Sequence, residues 1–140
     1  MRAAVWSIAF ILPILITGLA RADAYSPGDG YDGPLVVSTA TTVNVYSPIT
    51  TNVSAGAVIL NGISTAGFAV GDEVLIHTFR AAGAGNYDFR TITGIAGSTV
   101  SIDSGLGYNL VANNAQLIRV PNFTDLNVAN GGSIRPPATF

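Results

Sequence analysis

The sequence predicts an all-β protein: a small β-barrel- or sandwich-like module leading into the first rung of a β-solenoid, preceded by a signal-peptide helix. Three observations carry that expectation. Short β-branched runs recur along the chain, each bounded by Gly, Pro, Asn, Asp or Ser. Beyond residue 24, no stretch sets apolar residues at helical spacing over ten or more positions. Finally, the tail "TDLNVANGGSIRPPATF" (124–140) reads as a strand, a glycine corner and a second short strand.

The first element is "MRAAVWSIAFILPILITGLARADA" (1–24). Arg2 gives it a basic start, an apolar run follows from Ala3 to Ala20, and it closes on Ala22-Asp23-Ala24. Small residues at Ala22 and Ala24 suit signal-peptidase recognition, so cleavage is expected after Ala24, with export to the cell surface or medium. An uncleaved anchor is the competing reading, because the apolar run nearly reaches the length of a spanning helix. Pro13 inside the run and the small-residue ending favour removal. The next stretch, "YSPGDGYDGP" (25–34), is a turn-rich linker.

A small all-β module is expected over 35–122. Its runs are "LVVS" (35–38), "TTVNVYS" (41–47), "AVILNGI" (57–63), "EVLIHTF" (73–79), "YDFRTITGI" (87–95), "STVSID" (98–103) and "AQLIRV" (115–120). Several alternate apolar and polar residues, as half-buried strands do. "ITGIAGSTVSI" (92–102) predicts a hairpin turning near Ala96-Gly97-Ser98, where glycine supplies positive φ. "AGFAVGDEV" (66–74) is a bend at Gly71-Asp72 running into a strand. Residues 123–140 are expected to begin a β-helix rung, with Leu126 and Val128 inward. A lone rung cannot bury its own face, so it needs neighbours stacked on it, and the chain is expected to continue beyond this point.

Composition narrows the partners. Past residue 24 the cations are Arg80, Arg90, Arg119 and Arg135, with no lysine. They form no basic stripe, which argues against nucleic acid and against anionic membrane surfaces. There is no cysteine, so stability must come from packing and sheet pairing rather than from disulfides.

"GDGYDGPLVVS", "AGFAVGDEVLIH", "AGNYDFRTITGIAGSTVSID", "QLIRVPNF" and "LNVANGGSIRPP" together carry a resemblance. The chain resembles the amino-terminal region of large exported, adhesin-like bacterial proteins that continue into a right-handed parallel β-helix. The resemblance implies a small β-barrel-like module after the signal, followed by valine-rich rungs with glycine corners. It implies no catalytic residue.

Asp72, Glu73 and His77 fall within "FAVGDEVLIHTF" (68–79). On a strand, Glu73 and His77 share a face but stand roughly 13 Å apart, too far to share a zinc whose donors lie about 2 Å away. Asp29 and Asp32, on a glycine-rich loop, are weak calcium candidates, short of the ligand number calcium takes. No nucleophile elbow is present. Asp88 and Asp103, around the 92–102 hairpin, are the carboxylates a glycosidase reading would pair, though nothing singles them out. With Trp6 in the signal, Tyr31, Tyr46, Tyr87 and Tyr108 are the residues available for a sugar platform. No pattern asks for a cofactor. The expectation is an exported, adhesin-like, non-catalytic segment that starts or caps a β-helix. The alternatives are the non-catalytic front of a secreted β-helix polysaccharide-degrading enzyme, or a stand-alone carbohydrate-binding β module. Extracellular carbohydrate or cell-surface material is the partner in view.

Overall fold

A computed structural model of the chain describes residues 29–136. The expected signal segment, with Ala22 and Ala24, lies outside the described residues, as do 25–28 and 137–140. The described residues form ten strands, and no helix among them is long and apolar enough to cross a membrane.

Six strands build one sheet. β3 (Tyr46–Pro48), β4 (Ile59–Asn61), β5 (Glu73–Thr78), β6 (Tyr87–Ala96), β7 (Thr99–Ile102) and β8 (Ala115–Val120) are ordered β3-β8-β5-β6-β7-β4. All of these pairings are antiparallel. The end strands β3 and β4 are not paired with each other, so the expected barrel is an open, half-closed one.

The alternation expected for residues 73–79 holds in β5, where Val74, Ile76 and Thr78 are buried while Glu73, Leu75 and His77 are half-buried. Cross-strand partners share a face, so Arg90 and Arg119 flank Val74, and Asp88 and Leu117 flank Ile76. Ile49, Leu60, Ile92, Val100, Leu110 and Leu117 complete a core of residues no more than 1% exposed. The 92–102 hairpin is present, with Ala96 opposite Thr99 and Gly97 at φ 58°. Ser98 is not in the positive-φ region, so glycine occupies the first central position, as in a type II′ turn. "TTVNVYS", by contrast, is not one strand. Residues 42–45 are irregular and pairing resumes at Tyr46, because this stretch carries the chain from one sheet to another.

The remaining four strands make two parallel pairs. β1 (Gly33–Val37) pairs with β9 (Phe123–Val128), and β2 (Ala40–Thr41) pairs with β10 (Ser133–Ile134). Chain segments strand–corner–strand are therefore stacked on each other, which is the arrangement of solenoid rungs. The expectation assigned 33–34 to a linker and 35–41 to the same module as the later strands. Pairing instead places 33–41 beside 123–134, with the six-stranded sheet inserted between the two rungs. The reason is that parallel pairing needs a long crossover and leaves no local turn signal.

Ile76 lies at the centre of the core with both neighbouring strands paired to it. Ile76→Ala is expected to lower unfolding free energy by about 2–5 kcal/mol. Urea denaturation followed by tyrosine fluorescence checks this, and a loss below about 1 kcal/mol would contradict the packing described.

Candidate functional site

The stacked rungs present a ladder of matched side chains. Leu35 is opposite Leu126, Val37 opposite Val128, and Thr41 opposite Ile134. Val37, on the inner rung, is 1% exposed, while Leu126, Val128 and Ile134 on the outer rung are 53%, 48% and 41% exposed. Among the described residues, β9 pairs only with β1 and β10 only with β2. The outer rung thus carries both an apolar row and a free parallel edge. The corner between β9 and β10 sits tightly on the first rung. Ala129 N donates to Val37 O at 2.9 Å and Ser133 N to Thr39 O at 3.2 Å. A Cβ at Gly132 would collide with the Val37 carbonyl.

A charged clamp ties the first rung to the half-barrel. Ala115, Leu117 and Arg119 alternate onto the inner face of β8. Arg119 therefore points inward where the core ends, and a charge there requires partners. It has two of them. Its Nε is ion-paired with Asp72 Oδ1 at 3.1 Å, and its Nη2 with Asp32 Oδ1. Asp32 Oδ2 accepts from Asn122 N at 2.6 Å, and Asn122 Nδ2 donates to Glu73 Oε2 at 2.9 Å. Asp72 Oδ2 in turn accepts from Ala69 N at 2.7 Å, which closes the bend before β5. Beside this network, Tyr31 donates its hydroxyl to Val70 O at 3.1 Å. A second ion pair, Asp88 with Arg90 at 2.9 Å, ties down a loop by reaching Gly107 N and Gly105 O.

The outer face of the six-stranded sheet is unusually apolar for a surface. Tyr46, Ile118, Leu75 and Phe89 form one cross-strand row, and Pro48, Gln116, His77 and Tyr87 form the next. Tyr87 is 54% exposed and meets Phe89 edge-on at 6.0 Å between ring centroids.

The sequence candidates are dispersed rather than gathered. Glu73 and His77 share a face of β5, but Leu75 stands between them and Asp72 turns away to Arg119. Asp29 accepts from Tyr31 N at 2.9 Å, an Asx-type turn, while both oxygens of Asp32 are engaged by Arg119 and Asn122. The weak calcium candidates thus serve a turn and a clamp. Among the described residues no group of three or more His, Asp or Glu side chains is placed to hold a metal. Both oxygens of Asp88 are occupied, and Asp103 accepts from Thr91 N at 3.1 Å. Of the tyrosines, Tyr46 and Tyr87 lie on the outer sheet face and Tyr31 beside the clamp, while Tyr108 packs against the core and donates to Ile76 O at 3.2 Å. Arg119 is the residue that sequence reasoning passed over. Its signal was parity, since it shares a strand face with Ala115 and Leu117.

No protein-family model and no curated protein matches the chain. Solved structures that resemble it include three phage tailspikes. The tailspike protein gp49 from Pseudomonas phage LKA1 is 15% identical at TM-score 0.43, covering 64% of this chain and 21% of that one. The gp54 tailspike of Acinetobacter baumannii bacteriophage AP22, solved with A. baumannii capsular saccharide, is 10% identical at TM-score 0.44, covering 72% and 23%. The Pseudomonas phage phi297 tailspike gp61 is 19% identical at TM-score 0.47, covering 71% and 19%. The chain spans about a fifth of the length of each.

Arg119→Met leaves Asp72, whose side chain is 2% exposed, without its cation. Unfolding free energy is expected to fall by about 3 kcal/mol, at the low end for a broken buried pair because Arg119 keeps some solvent contact. Adding Asp72→Asn should recover part of that loss. A double variant less stable than the single one would mean that the pair is not what holds this corner.

Proposed function

We propose that this chain is the non-catalytic amino-terminal region of an exported, adhesin-like β-solenoid protein, and that it starts and caps the solenoid. The observation that carries the proposal is the parallel stacking of β1–β2 under β9–β10 with their apolar residues aligned. Stacked rungs share one continuous core, and each buries its inward face only against its neighbours. The outer rung has the apolar row and the unpaired edge that a further rung would cover. The half-barrel is fastened to the start of the first rung through Asp32 and Tyr31, in keeping with the atypical terminal unit that a solenoid requires. The non-catalytic assignment is supported by the state of the carboxylates. Asp32, Asp72 and Asp88 are each committed to an arginine.

The intact mass of the protein recovered from exported fractions tests this. The expected species begins at Tyr25 and is much heavier than 14.3 kDa, the mass of these 140 residues. Val/Asn/Thr-rich rungs in the added sequence are expected for the adhesin reading, while clustered carboxylates or arginines on those rungs would indicate a polysaccharide-degrading enzyme. An exported species that ends at Phe140 and remains monomeric would overturn the solenoid proposal.

A second role is favoured by one specific observation, the exposed Tyr87 ring beside His77, with Gln116 next along the same cross-strand row, on an uncharged stretch of sheet. An aromatic face beside neutral hydrogen-bonding groups complements a neutral sugar, whose C–H face stacks while its hydroxyls pair. On a panel of neutral oligosaccharides, Tyr87→Ala is expected to weaken binding about tenfold, the loss of roughly 1.4 kcal/mol of ring contact. Equal binding by the wild-type protein and the variant would remove the outer face from consideration.

A further inference from the structure

Two Asn-Gly pairs occur in the chain, Asn61-Gly62 and Asn130-Gly131, and the fold treats them differently. Asn61 ends β4, paired to Thr99. Its side-chain Oδ1 accepts from Thr99 Oγ1 at 2.9 Å. Its carbonyl and that of Gly62 accept from the hydroxyls of Thr51 and Thr50 at 3.0 and 2.9 Å. A Cβ at Gly62 would collide with Thr50 Oγ1, so the space there is filled. Asn130-Gly131 lies in the exposed corner between β9 and β10. Nothing lies within 4 Å of where a Gly131 Cβ would stand. Gly131, at φ 87°, donates no backbone hydrogen bond among the described residues.

We propose that Asn130 is a spontaneous deamidation site whose conversion to isoaspartate unseats the outer rung. The Gly131 nitrogen, after giving its proton to hydroxide, attacks Asn130 Cγ. A tetrahedral adduct forms, the Cγ–Nδ2 bond breaks, and ammonia leaves with a proton from water. The product is a five-membered succinimide. Water then opens the ring at one of its carbonyls. Cleavage at the side-chain carbonyl gives an ordinary aspartate. Cleavage at the main-chain carbonyl gives isoaspartate, which routes the backbone through one extra carbon. A glycine supplies the nitrogen best, because no side chain hinders its approach.

The corner has no room for that extra carbon. Gly132 N donates to Ala129 O at 2.9 Å, and Gly132 packs directly on the Val37 carbonyl. Two bonds just beyond it hold β10 in register: Ser133 N to Thr39 O at 3.2 Å and Arg135 N to Thr41 O at 2.9 Å. Lengthening the chain between Ala129 and Ser133 displaces Ser133 from Ala40 and Ile134 from Thr41. The reaction depends on this corner alone. It stands whether or not the solenoid continues.

The test is to age the protein at mildly alkaline pH and map its peptides by mass, with an isoaspartyl methyltransferase to report the isomer. Mapping by mass matters because the Asp29-Gly30 and Asp32-Gly33 pairs isomerise without a mass change. Asn130 is expected to deamidate about tenfold faster than Asn61, which must first break its side-chain hydrogen bond to Thr99 and leave its ladder. In the aged protein, the amides of Ser133 and Arg135 should exchange hydrogen faster. Freshly purified Asn130→Asp, which carries the charge before its own Asp-Gly bond isomerises and so lacks the extra carbon, should leave that exchange unchanged, and Asn130→Gln should age without it. Deamidation at Asn61 equal to or faster than at Asn130 would overturn the site. Unchanged exchange at Ser133 and Arg135 in isoaspartate-containing protein would overturn the unseating.

Discussion

The structure depends on the parallel pairing of β1 with β9. Parallel strands cannot be joined by a tight turn, so the chain must leave its first rung, travel, and come back beside its own start. Asp32 and Asn122, hydrogen-bonded to each other, are 90 residues apart in sequence. Everything between must be a unit whose two ends meet. The six-stranded sheet satisfies that requirement through β3 and β8, which pair antiparallel with Tyr46 opposite Ile118. The chain departs at Val45 and returns at Arg119, where Arg119 N donates to Val45 O at 2.8 Å. The half-barrel is therefore shaped by a topological demand as much as by its own core.

The same point in space holds the arginine clamp. Taking charges from water is costly, and a buried pair often adds little net stability over apolar packing. What Arg119 adds is geometry. One guanidinium fixes Asp32 at the start of the first rung and Asp72 at the bend before β5, while Asn122 links the same aspartate to Glu73. Apolar contacts at this corner would tolerate a slip of one residue, but a planar donor set between two carboxylates does not. Register matters here because a slip would turn Leu35 and Val37 away from Leu126 and Val128. Between the clamp and the ladder the register shifts by one residue, from Gly33 opposite Phe123 to Leu35 opposite Leu126, so the clamp fixes the start of the rung and the ladder's own pairs set the rest.

Much of the half-barrel was legible in the sequence because its signals are local. Period-two alternation defines β5 and β8, and glycine at the turn marks the β6–β7 hairpin. The rung at 123–134 was legible too, from its glycine corner and its inward Leu126 and Val128. Its partner was not, since nothing in "GPLVV" names a strand so distant in sequence, and Pro34 beside Gly33 reads as turn chemistry. The acids misled for a related reason. Asp29, Asp32 and Asp72 all stand next to glycine, which indicates bends, and only assembly shows that two of them meet one arginine. Parity did carry that information in residue 119, but an inward charge cannot name its partner.

The exposed outer rung follows from the same constraints. Within the half-barrel only the β5–β6 and β6–β7 pairings are local, and these form at the least entropic cost; β3–β8, β5–β8 and β4–β7 close longer loops but bury a shared core as they do so. The rung contacts join the most distant parts of the chain and bury little until a neighbour covers them. Leu126, Val128 and Ile134 are therefore only half covered by folding as far as β10. A free, apolar, parallel edge invites unwanted pairing. Here that edge is paired in one register from Leu126 to Val128, so its apolar row is already aligned with the rung beneath. An edge held in one register accepts a matching rung more readily than an arbitrary strand. A unit that started a solenoid in this way would also limit what could be added to it.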